Sequence, residues 1–471
     1  HRRYHIFFAN ISLFTFSMLG LVLSDNLLFL FVFWEIMGLM SYLLIGHFSH
    51  DPGSPRITHA AAACKKAFLT TRVGDVALLV GMIMFYYHFQ TFQFTELWRL
   101  GAEEVARNGG EYPAWMTVAG LFTFGGTVGK SAQFPLHIWL PDAMEGPTPV
   151  SAMIHAATMV AAGVFLLGRT YPLMSPEVLA VVTCFGALTA LFAATIGTTV
   201  FDIKGVLAYS TISQLGFMVA AIGLGGIVAG LFHMVTHAFF KACLFLCSGS
   251  VIHGCHHEQD MRNMGGLRKM MPITFGCMLV STLAISGIPF FAGFYSKDLI
   301  ILKAFEQTLA DFSGPYLFAA IALPVAAILT AFYMFRLIFM TFFGEYRVHQ
   351  AAGHGHDAHH DAHGDAHGDA HGGHGHDAHG GHDDHGHGHG GHAHVPHESP
   401  WPMTTALVVL ALGGLLGGHF WLADPIHSLA FWHPPHTWFE TMVTIPRLYG
   451  EGVANAIAPE LTGHALEHHE H

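Results

Sequence analysis

Long apolar segments, separated by short polar ones, constrain the fold of this chain more than any other feature. A helix that crosses a bilayer needs about 20 mainly apolar residues, and about eleven segments of the 471-residue sequence meet that requirement. The run 27–33 is apolar on every side, whereas the strands of a membrane barrel would alternate polar and apolar residues. The sequence therefore predicts an all-α polytopic membrane protein. Its expected spans lie near residues 6–23, 27–46, 66–88, 115–140, 148–170, 177–199, 205–224, 226–253, 272–305, 315–343 and 401–421.

The composition excludes several other classes of protein. Charged residues make up 11% of the chain and the formal net charge is -12, whereas an average soluble domain carries about a quarter charged residues. A soluble enzyme and a nucleic-acid partner are therefore not expected. The six cysteines include no C-x-x-C pair, which argues against a disulfide scaffold. The partner that this composition requires is the lipid bilayer.

The distribution of basic residues predicts the orientation of the chain in the membrane. One set of alternate loops carries ten Lys and Arg residues and the opposite set carries four. The positive-inside rule places the richer set in the cytoplasm. The loop that follows Arg347 belongs to that set, so it is predicted to be cytoplasmic.

Two predicted spans carry sequences that interrupt a helix. The stretch 125–135 contains three glycines, Lys130 and Pro135, and the stretch 285–298 repeats the pattern with Pro289, Lys297 and Asp298. Proline removes a helical hydrogen bond, and the freed carbonyl groups need a partner at membrane depth. Paired broken helices in corresponding halves are typical of transporters with inverted repeats, so we expect two discontinuous helices.

The second large feature of the chain is a histidine-rich segment. The stretch from about 349 to 397 holds 18 of the 39 histidines, interleaved with Gly, Ala and Asp. It has almost no apolar side chains and is therefore predicted to be disordered. Closely spaced histidines such as His385, His387 and His389 could bind Ni, Zn or Cu ions. Alternatively, the imidazole groups of the segment could buffer protons. We favour a tolerated insertion with neither role.

Ionisable residues inside the spans are the candidate functional residues, because such groups are costly in a membrane and usually mark a pathway for ions or protons. The candidates are Glu35, Asp75, Lys130, His155, His233, His237, Lys241, Lys297 and Asp298. Of these, His233, His237 and Lys241 recur at every fourth position, which aligns them on one helix face over about 12 Å. Burial and a nearby carboxylate move the proton affinity of a lysine in opposite directions, so the set predicts a proton relay.

A purely structural role is the alternative interpretation for some of these candidates. Asp75 follows Arg72 by one helical turn, so the two could form only a local ion pair. His155 could join the relay or hydrogen-bond across a helix interface. The general alternative is that each polar residue pairs with a neighbour and only holds helices together.

At these residues the sequence resembles the antiporter-like subunit of respiratory complex I, called subunit L in bacteria and subunit 5 in mitochondria. The matching blocks lie, in order, at 13–19, 33–35, 71–75, 129–133, 146–152, 202–204, 207–211, 233–242, 256–259 and 294–298. Together they cover roughly residues 7–345.

The resemblance implies a proton-translocating module of two inverted five-helix repeats. It implies that Glu35 and Lys130 form the pair of the first half, with Asp75 nearby. It also makes Lys241 the central lysine beside the two histidines, and Lys297 with Asp298 the exit-side site. Such a subunit lies in the bacterial inner membrane and holds no cofactor itself, because the flavin, iron–sulfur and quinone sites belong to partner subunits of both arms.

The resemblance also divides the chain into regions. Residues 1–25 would end a truncated N-terminal region, 26–170 and 171–345 would be the two repeats, 346–398 the histidine-rich loop, and 399–471 a C-terminal helix with an extramembrane tail. Family members begin with further helices and end with a long lateral helix. We therefore expect this chain to be a fragment of a longer protein.

Two other functions remain as alternatives. The large subunit of a multisubunit Na⁺/H⁺ antiporter, or of a related ion-translocating complex, shares the same motifs. A zinc transporter is a more distant alternative, since His233 and His237 have the spacing of a metal-binding pair. Lys241 continues the same helix face, however, and its charge opposes a divalent cation.

Overall fold

The computed structural model describes residues 3–50, 57–347 and 396–420, and these residues fold as helices joined by turns. The first seven helices are α1 (Tyr4–Leu23), α2 (Leu27–Ile45), α3 (Ile57–Phe89), α4 (Phe94–Arg107), α5 (Ala114–Lys130), α6 (Thr148–Ala156) and α7 (Met159–Thr170). The remaining seven are α8 (Pro176–Gly197), α9 (Ile203–Gly223), α10 (Ile227–Gly254), α11 (Pro272–Ser286), α12 (Ala292–Ala310), α13 (Gly314–Phe342) and α14 (Trp401–Phe420). The loop histidines His385, His387 and His389 lie outside the described residues.

Within those described ranges, nine helical segments are long and apolar enough to cross a membrane. They are α1, α2 with the turn that follows it, α3, α6 and α7 taken together, α8, α9, α10, α13 and α14. The prediction of an all-α, multi-pass membrane protein is thereby confirmed. The helix α4 differs from these, because its buried residues are only Phe94, Leu97 and Gly101 and its other face carries charged side chains.

The first helix break lies at a different place from the predicted one. The helix α5 ends at Lys130, and two short 3-10 turns follow it in place of a second half-helix. The predicted continuous span 148–170 is instead divided into α6 and α7, because Thr158 adopts a non-helical conformation with φ -123° and ψ -103°. Lys130 therefore lies at a helix end, and the discontinuous helix of this half carries His155.

The second predicted break is confirmed. The helix α11 ends at Ser286, and Gly287 follows in the left-handed region with φ 75°, where a residue without a Cβ atom is favoured. The chain resumes as α12 at Ala292. This interruption leaves the last carbonyl groups of α11 without partners inside their own helix.

Buried apolar side chains form two clusters. One extends from Phe14 to Ile222, and the other extends from Met144 to Ala411. The two overlap along the chain where α8 and α9 pack closely, with Gly186 and Gly216 placed against the backbone of the facing helix. Small residues allow such close approach of membrane helices. The candidate site residues lie on helices of both clusters.

Candidate functional site

Four charged residues from three helices meet in the first half of the chain. We call Glu35 (α2), Arg72 and Asp75 (α3) and Lys130 (α5) the first-half cluster. The Arg72 guanidinium forms an ion pair with Glu35, and its Nη1 lies 3.6 Å from Asp75 Oδ2. The same Oδ2 lies 3.5 Å from Lys130 Nζ. The cluster therefore runs as a chain of alternating charges from Glu35 through Arg72 and Asp75 to Lys130.

The resemblance implied that Glu35 and Lys130 form the pair of the first half, with Asp75 nearby. In the structure Asp75 is the carboxylate next to Lys130, and Glu35 reaches the lysine only through Arg72 and Asp75. The i, i+3 ion pair of Arg72 and Asp75 on α3 is present, as the structural interpretation held, but it is one link of a longer network. Sequence reasoning mentioned Arg72 only as a local partner of Asp75, although an arginine at membrane depth was a signal in its own right.

Burial within the first-half cluster is graded. The side chains of Lys130 and Asp75 are 0% and 3% exposed, whereas those of Arg72 and Glu35 are each 27% exposed. Charge pairs that are excluded from water interact more strongly than surface pairs. Asp75 and Lys130 therefore form the more buried end of the cluster, and Glu35 and Arg72 form the more exposed end.

Glycine residues bring the charges of the first-half cluster together. On α3, Gly74 lies against the backbone of Gly125 and Gly129 on α5, so that these two helices touch directly. On α2, a Cβ atom at Gly38 would lie 2.6 Å from Lys130 Nζ. The lysine tip thus occupies space that any larger residue at position 38 would take.

A tryptophan that sequence reasoning missed also belongs here. The Trp34 indole Nε1–H donates a hydrogen bond of 2.6 Å to Asp75 Oδ1, and its ring lies 5.6 Å from Lys130 Nζ. Its signals in the sequence were its position directly before Glu35 and its place in the matching block 33–35. Neither reveals that a buried indole turns toward a carboxylate.

The second group of candidate residues lies along one face of α10, as the spacing predicted. We call His233, His237 and Lys241 the α10 row. All three side chains are buried, and the ring centroids of the two histidines are 6.4 Å apart. The row is enclosed by α6, α9 and α12, which supply its hydrogen-bond partners.

Each member of the α10 row is held by a polar group of another helix. Around His233, Nδ1 lies 2.8 Å from Ser296 Oγ and Nε2 lies 3.1 Å from Gln214 Oε1. The Lys241 ammonium donates to the Leu207 carbonyl oxygen at 3.0 Å and to the Ser210 hydroxyl. The orientation of the row is therefore fixed by α9 and α12 together.

Two titratable side chains bind the carbonyl groups that the helix breaks leave free. At the end of α6, the Ala156 carbonyl oxygen accepts a hydrogen bond of 3.1 Å from His237 Nδ1. At the end of α11, the Ile285 carbonyl oxygen accepts one of 2.6 Å from Lys297 Nζ. Backbone carbonyl groups at membrane depth must be satisfied by protein or water. At both helix breaks, a free backbone carbonyl group is thus hydrogen-bonded by the side chain of a candidate relay residue.

The ring of His155 lies between the α6 break and α10. It is fully buried, with its centroid 5.0 Å from that of Phe245. Within the described part of the chain, neither ring nitrogen of His155 has a hydrogen-bond partner, and the same holds for Nε2 of His237. Buried polar groups are normally hydrogen-bonded to protein or to ordered water. Three imidazole nitrogens beside the α6 break are therefore buried without a hydrogen-bond partner among the described residues.

The remaining two candidates face different directions on α12. Lys297 is buried, with its Nζ 5.1 Å from the Phe217 ring centroid, whereas Asp298 is exposed. Neighbouring residues of a helix point about 100° apart, so this separation follows from their adjacency. The structure buries Lys297 and leaves the Asp298 carboxylate at the surface of the helix bundle.

His233 and His237 have the spacing of a metal-binding pair on one helix face. Over the ranges that the structure describes, there is no group of three or more His, Cys, Asp or Glu residues placed to hold a metal ion. Both ring nitrogens of His233 and one of His237 contact protein groups instead.

Comparison with known proteins adds the following similarities. Residues 24–322 match the family model described as NADH:quinone oxidoreductase/Mrp antiporter, TM. The chain is 50% identical over 429 residues to NAD(P)H-quinone oxidoreductase chain 5 of Synechocystis sp., a match that covers 88% of this chain and 59% of the relative. It is 45% identical over 425 residues to NADH-quinone oxidoreductase subunit L of Neisseria meningitidis, covering 88% of this chain and 58% of that protein. The chain thus spans under two thirds of the length of these curated relatives.

Solved structures show the same fold. A structure of the Mrp complex from Dietzia sp. is similar with a TM-score of 0.66 and 26% identity, covering 98% of this chain and 44% of that one. A chain of the archaeal membrane-bound sulfane sulfur reductase is similar with a TM-score of 0.68 at 21% identity, over 90% of this chain and 61% of that one. The second likeness concerns the fold alone.

Proposed function

Because this chain belongs to the NADH:quinone oxidoreductase/Mrp antiporter family, we propose that it translocates protons across the membrane as part of a membrane-arm subunit. Electron transfer from NADH to quinone in other subunits would drive the transport. The chain itself would supply the intramembrane relay and no cofactor. The relatives named as chain 5 and subunit L of such oxidoreductases support this function.

One observation carries the proposal. Three lysines from α5, α10 and α12 are buried, and each ammonium group contacts a carboxylate, a hydroxyl or a backbone carbonyl. A structural lysine of a membrane protein would extend its tip to the interface. Buried lysines with adjustable neighbours are suited instead to holding and releasing protons.

The first-half cluster provides a way to control Lys130. When Glu35 is charged, it holds Arg72, and Asp75 compensates the charge of Lys130. When Glu35 takes up a proton, Arg72 is free to pair with Asp75 instead, because its Nη1 is already 3.6 Å from Oδ2. Lys130 then loses its counter-charge, which favours the release of its proton. Proton uptake at the more exposed end is thus coupled to release at the buried end.

The α10 row would carry the proton onward. The Nε2 atom of His237 and both nitrogens of His155 are buried without a hydrogen-bond partner among the described residues, and ordered water between α6 and α10 would supply one. Lys297 would then pass the proton to the exit side, where the exposed Asp298 carboxylate offers an acceptor near the surface. This order of steps gives each candidate residue a role. Glu35 and Asp75 would control the protonation of Lys130, and Lys297 and Asp298 would release the proton at the exit side. The residues that would transfer the proton between them are Lys130, His155, His233, His237 and Lys241.

The surroundings of the chain follow from the same proposal. The partners would be the other membrane-arm and peripheral-arm subunits, and the location would be the bacterial inner membrane. The histidine-rich loop would face the cytoplasm, in agreement with the distribution of basic residues. The boundaries of the two inverted repeats, 26–170 and 171–345, belong to the proposal as well.

The likeness to the Mrp complex supports a second candidate function, that of an ion-translocating subunit in a multisubunit antiporter. The higher identity to the oxidoreductase subunits favours the first function. Co-purification distinguishes the two. Partners with flavin and iron–sulfur clusters indicate the oxidoreductase, whereas a complex that lacks them and exchanges Na⁺ for protons indicates the antiporter.

The decisive experiment on the relay substitutes Lys241 in the full-length subunit within its assembled complex. We expect Lys241→Met to abolish proton translocation through this subunit in proteoliposomes, because the methionine fills the same space without a proton site. The matched control is Lys303→Met, since Lys303 lies on α12 in a partly exposed ion pair with Glu306. Unchanged NADH oxidation and an unchanged proton gradient in the Lys241 variant would refute the relay.

A further inference from the structure

Trp34 contacts two members of the first-half cluster through two different parts of its side chain. Its Nε1–H donates to Asp75 Oδ1 at 2.6 Å, and its ring lies 5.6 Å from Lys130 Nζ. The residue is fully buried. An indole has a single donor and no acceptor, so this hydrogen bond uses the whole polar capacity of Trp34.

The hydrogen bond orients the carboxylate of Asp75. With Oδ1 held by the indole, the second oxygen, Oδ2, lies between two cations, 3.5 Å from Lys130 Nζ and 3.6 Å from Arg72 Nη1. The two distances are nearly equal. A carboxylate that rotated freely could offer both oxygens to one cation and leave the other without a partner.

Other tryptophans of the chain use their N–H groups differently. Trp98 donates to the backbone carbonyl oxygen of Arg169 at 2.9 Å, and Trp139 donates to that of Gly129 at 3.0 Å. Those bonds join helices to loops or to helix ends. Trp34 instead donates to an ionisable side chain that is itself buried, where a hydrogen bond to a charged group is stronger than one between neutral groups.

We infer that Trp34 is a positioning residue of the proton relay, which holds Asp75 Oδ2 at equal reach of Arg72 and Lys130 and places an aromatic face beside the lysine. This inference rests on the proposed function, since it assigns a part in the exchange of partners around Asp75. The indole keeps Asp75 from pairing permanently with either cation. The aromatic face stabilises the charged lysine by a cation–π contact.

The test separates the donor from the ring with three variants of the full-length subunit in its complex. Trp34→Phe keeps an aromatic face and removes the donor, Trp34→His keeps a ring with an N–H group, and Trp34→Leu removes both. We expect the Phe variant to lower proton translocation about tenfold, the effect of losing one hydrogen bond to a charged group. The His variant should translocate faster than the Phe variant. Trp98→Phe is the matched control and should leave translocation unchanged.

A double-mutant cycle with Asp75→Leu, which removes the acceptor of the indole hydrogen bond, tells positioning from packing. If Trp34 acts through the Asp75 carboxylate, Trp34→Phe has little further effect once Asp75→Leu is present. Equal factors in both backgrounds, or equal translocation by the Phe and His variants, would overturn the inference. If the Phe variant does not assemble, the His and Leu variants are compared in the same way, and equal translocation by these two would overturn it.

Proton translocation by Lys130→Met is measured in parallel, to tell a failure of the proposed function from a failure of the inference on Trp34. If it translocates normally, the proposed function fails. If it stops translocation while Trp34→Phe remains at the wild-type rate, only the inference on Trp34 fails.

Discussion

The substitution Asp75→Asn tests the most buried ion pair of the first-half cluster. Asparagine has the same shape as aspartate, and its side-chain oxygen can still accept the hydrogen bond from Trp34, so the change removes the charge alone. Asp75 and Lys130 are both buried, with Oδ2 and Nζ 3.5 Å apart. Their attraction at that distance is about 5 kcal/mol for an effective dielectric constant near 20.

Part of that attraction is offset in the native cluster, because Arg72 lies equally close to Asp75 and competes for it. Breaking a buried pair by removing one partner costs about 3–5 kcal/mol, and we take the lower value. A loss of ~3 kcal/mol corresponds to roughly a hundredfold change in an equilibrium or rate. We therefore expect the step that loads Lys130 to slow by about two orders of magnitude in the variant.

The assay is proton uptake into proteoliposomes that contain the complex with the full-length subunit, with NADH oxidation recorded in parallel. Asp311→Asn is the matched control, because Asp311 is exposed in the loop between α12 and α13. An assembled Asp75→Asn complex that translocates protons at more than half the wild-type rate would show that the Asp75–Lys130 pair is only structural.

Three further predictions concern other parts of the chain. Gly38→Ala should impair translocation, because the new Cβ atom would lie 2.6 Å from Lys130 Nζ, whereas Gly314→Ala, with no atom within 4 Å of its Cβ position, should not. Deletion of residues 354–394 should leave proton translocation unaltered at low and high pH, and a pH-dependent loss would instead support buffering by the histidine-rich segment. Arg262→Ala should lower the thermal unfolding temperature slightly at pH 7, because it removes an exposed ion pair with Asp260. The Arg262 guanidinium lowers the pKa of the Asp260 carboxyl, so this stabilisation is complete above about pH 4 and is lost as the pH falls through the lowered pKa; a difference that persisted in acid would contradict it.

The helices and the α10 row could be predicted because they depend on local patterns. Apolar segments of membrane length define the spans, and positions 233, 237 and 241 share a face in any α-helix. The break at Gly287 was also readable, since glycine is favoured at the end of a helix. These features need no knowledge of what packs against what.

The features that could not be predicted depend on contacts between helices. The break between α6 and α7 falls at Ala157 and Thr158, which are not strong helix breakers, and it is stabilised by His237 from another helix. The stronger local signal around Pro135 ends α5 instead of dividing it. In the same way, spacing along the chain cannot show that Arg72 connects Glu35 to Asp75, because three helices must first assemble.

The bond from His237 to the α6 break determines how this imidazole can handle protons. A carbonyl oxygen only accepts hydrogen bonds, so Nδ1 carries its hydrogen whether the ring is neutral or charged. A proton that arrives at Nε2 must therefore leave from Nε2, and it cannot pass through the ring from one nitrogen to the other while the bond to Ala156 persists. In the proposed relay His237 would thus be a one-sided storage site. Directional transport past it would require that the groups facing Nε2 change between loading and unloading.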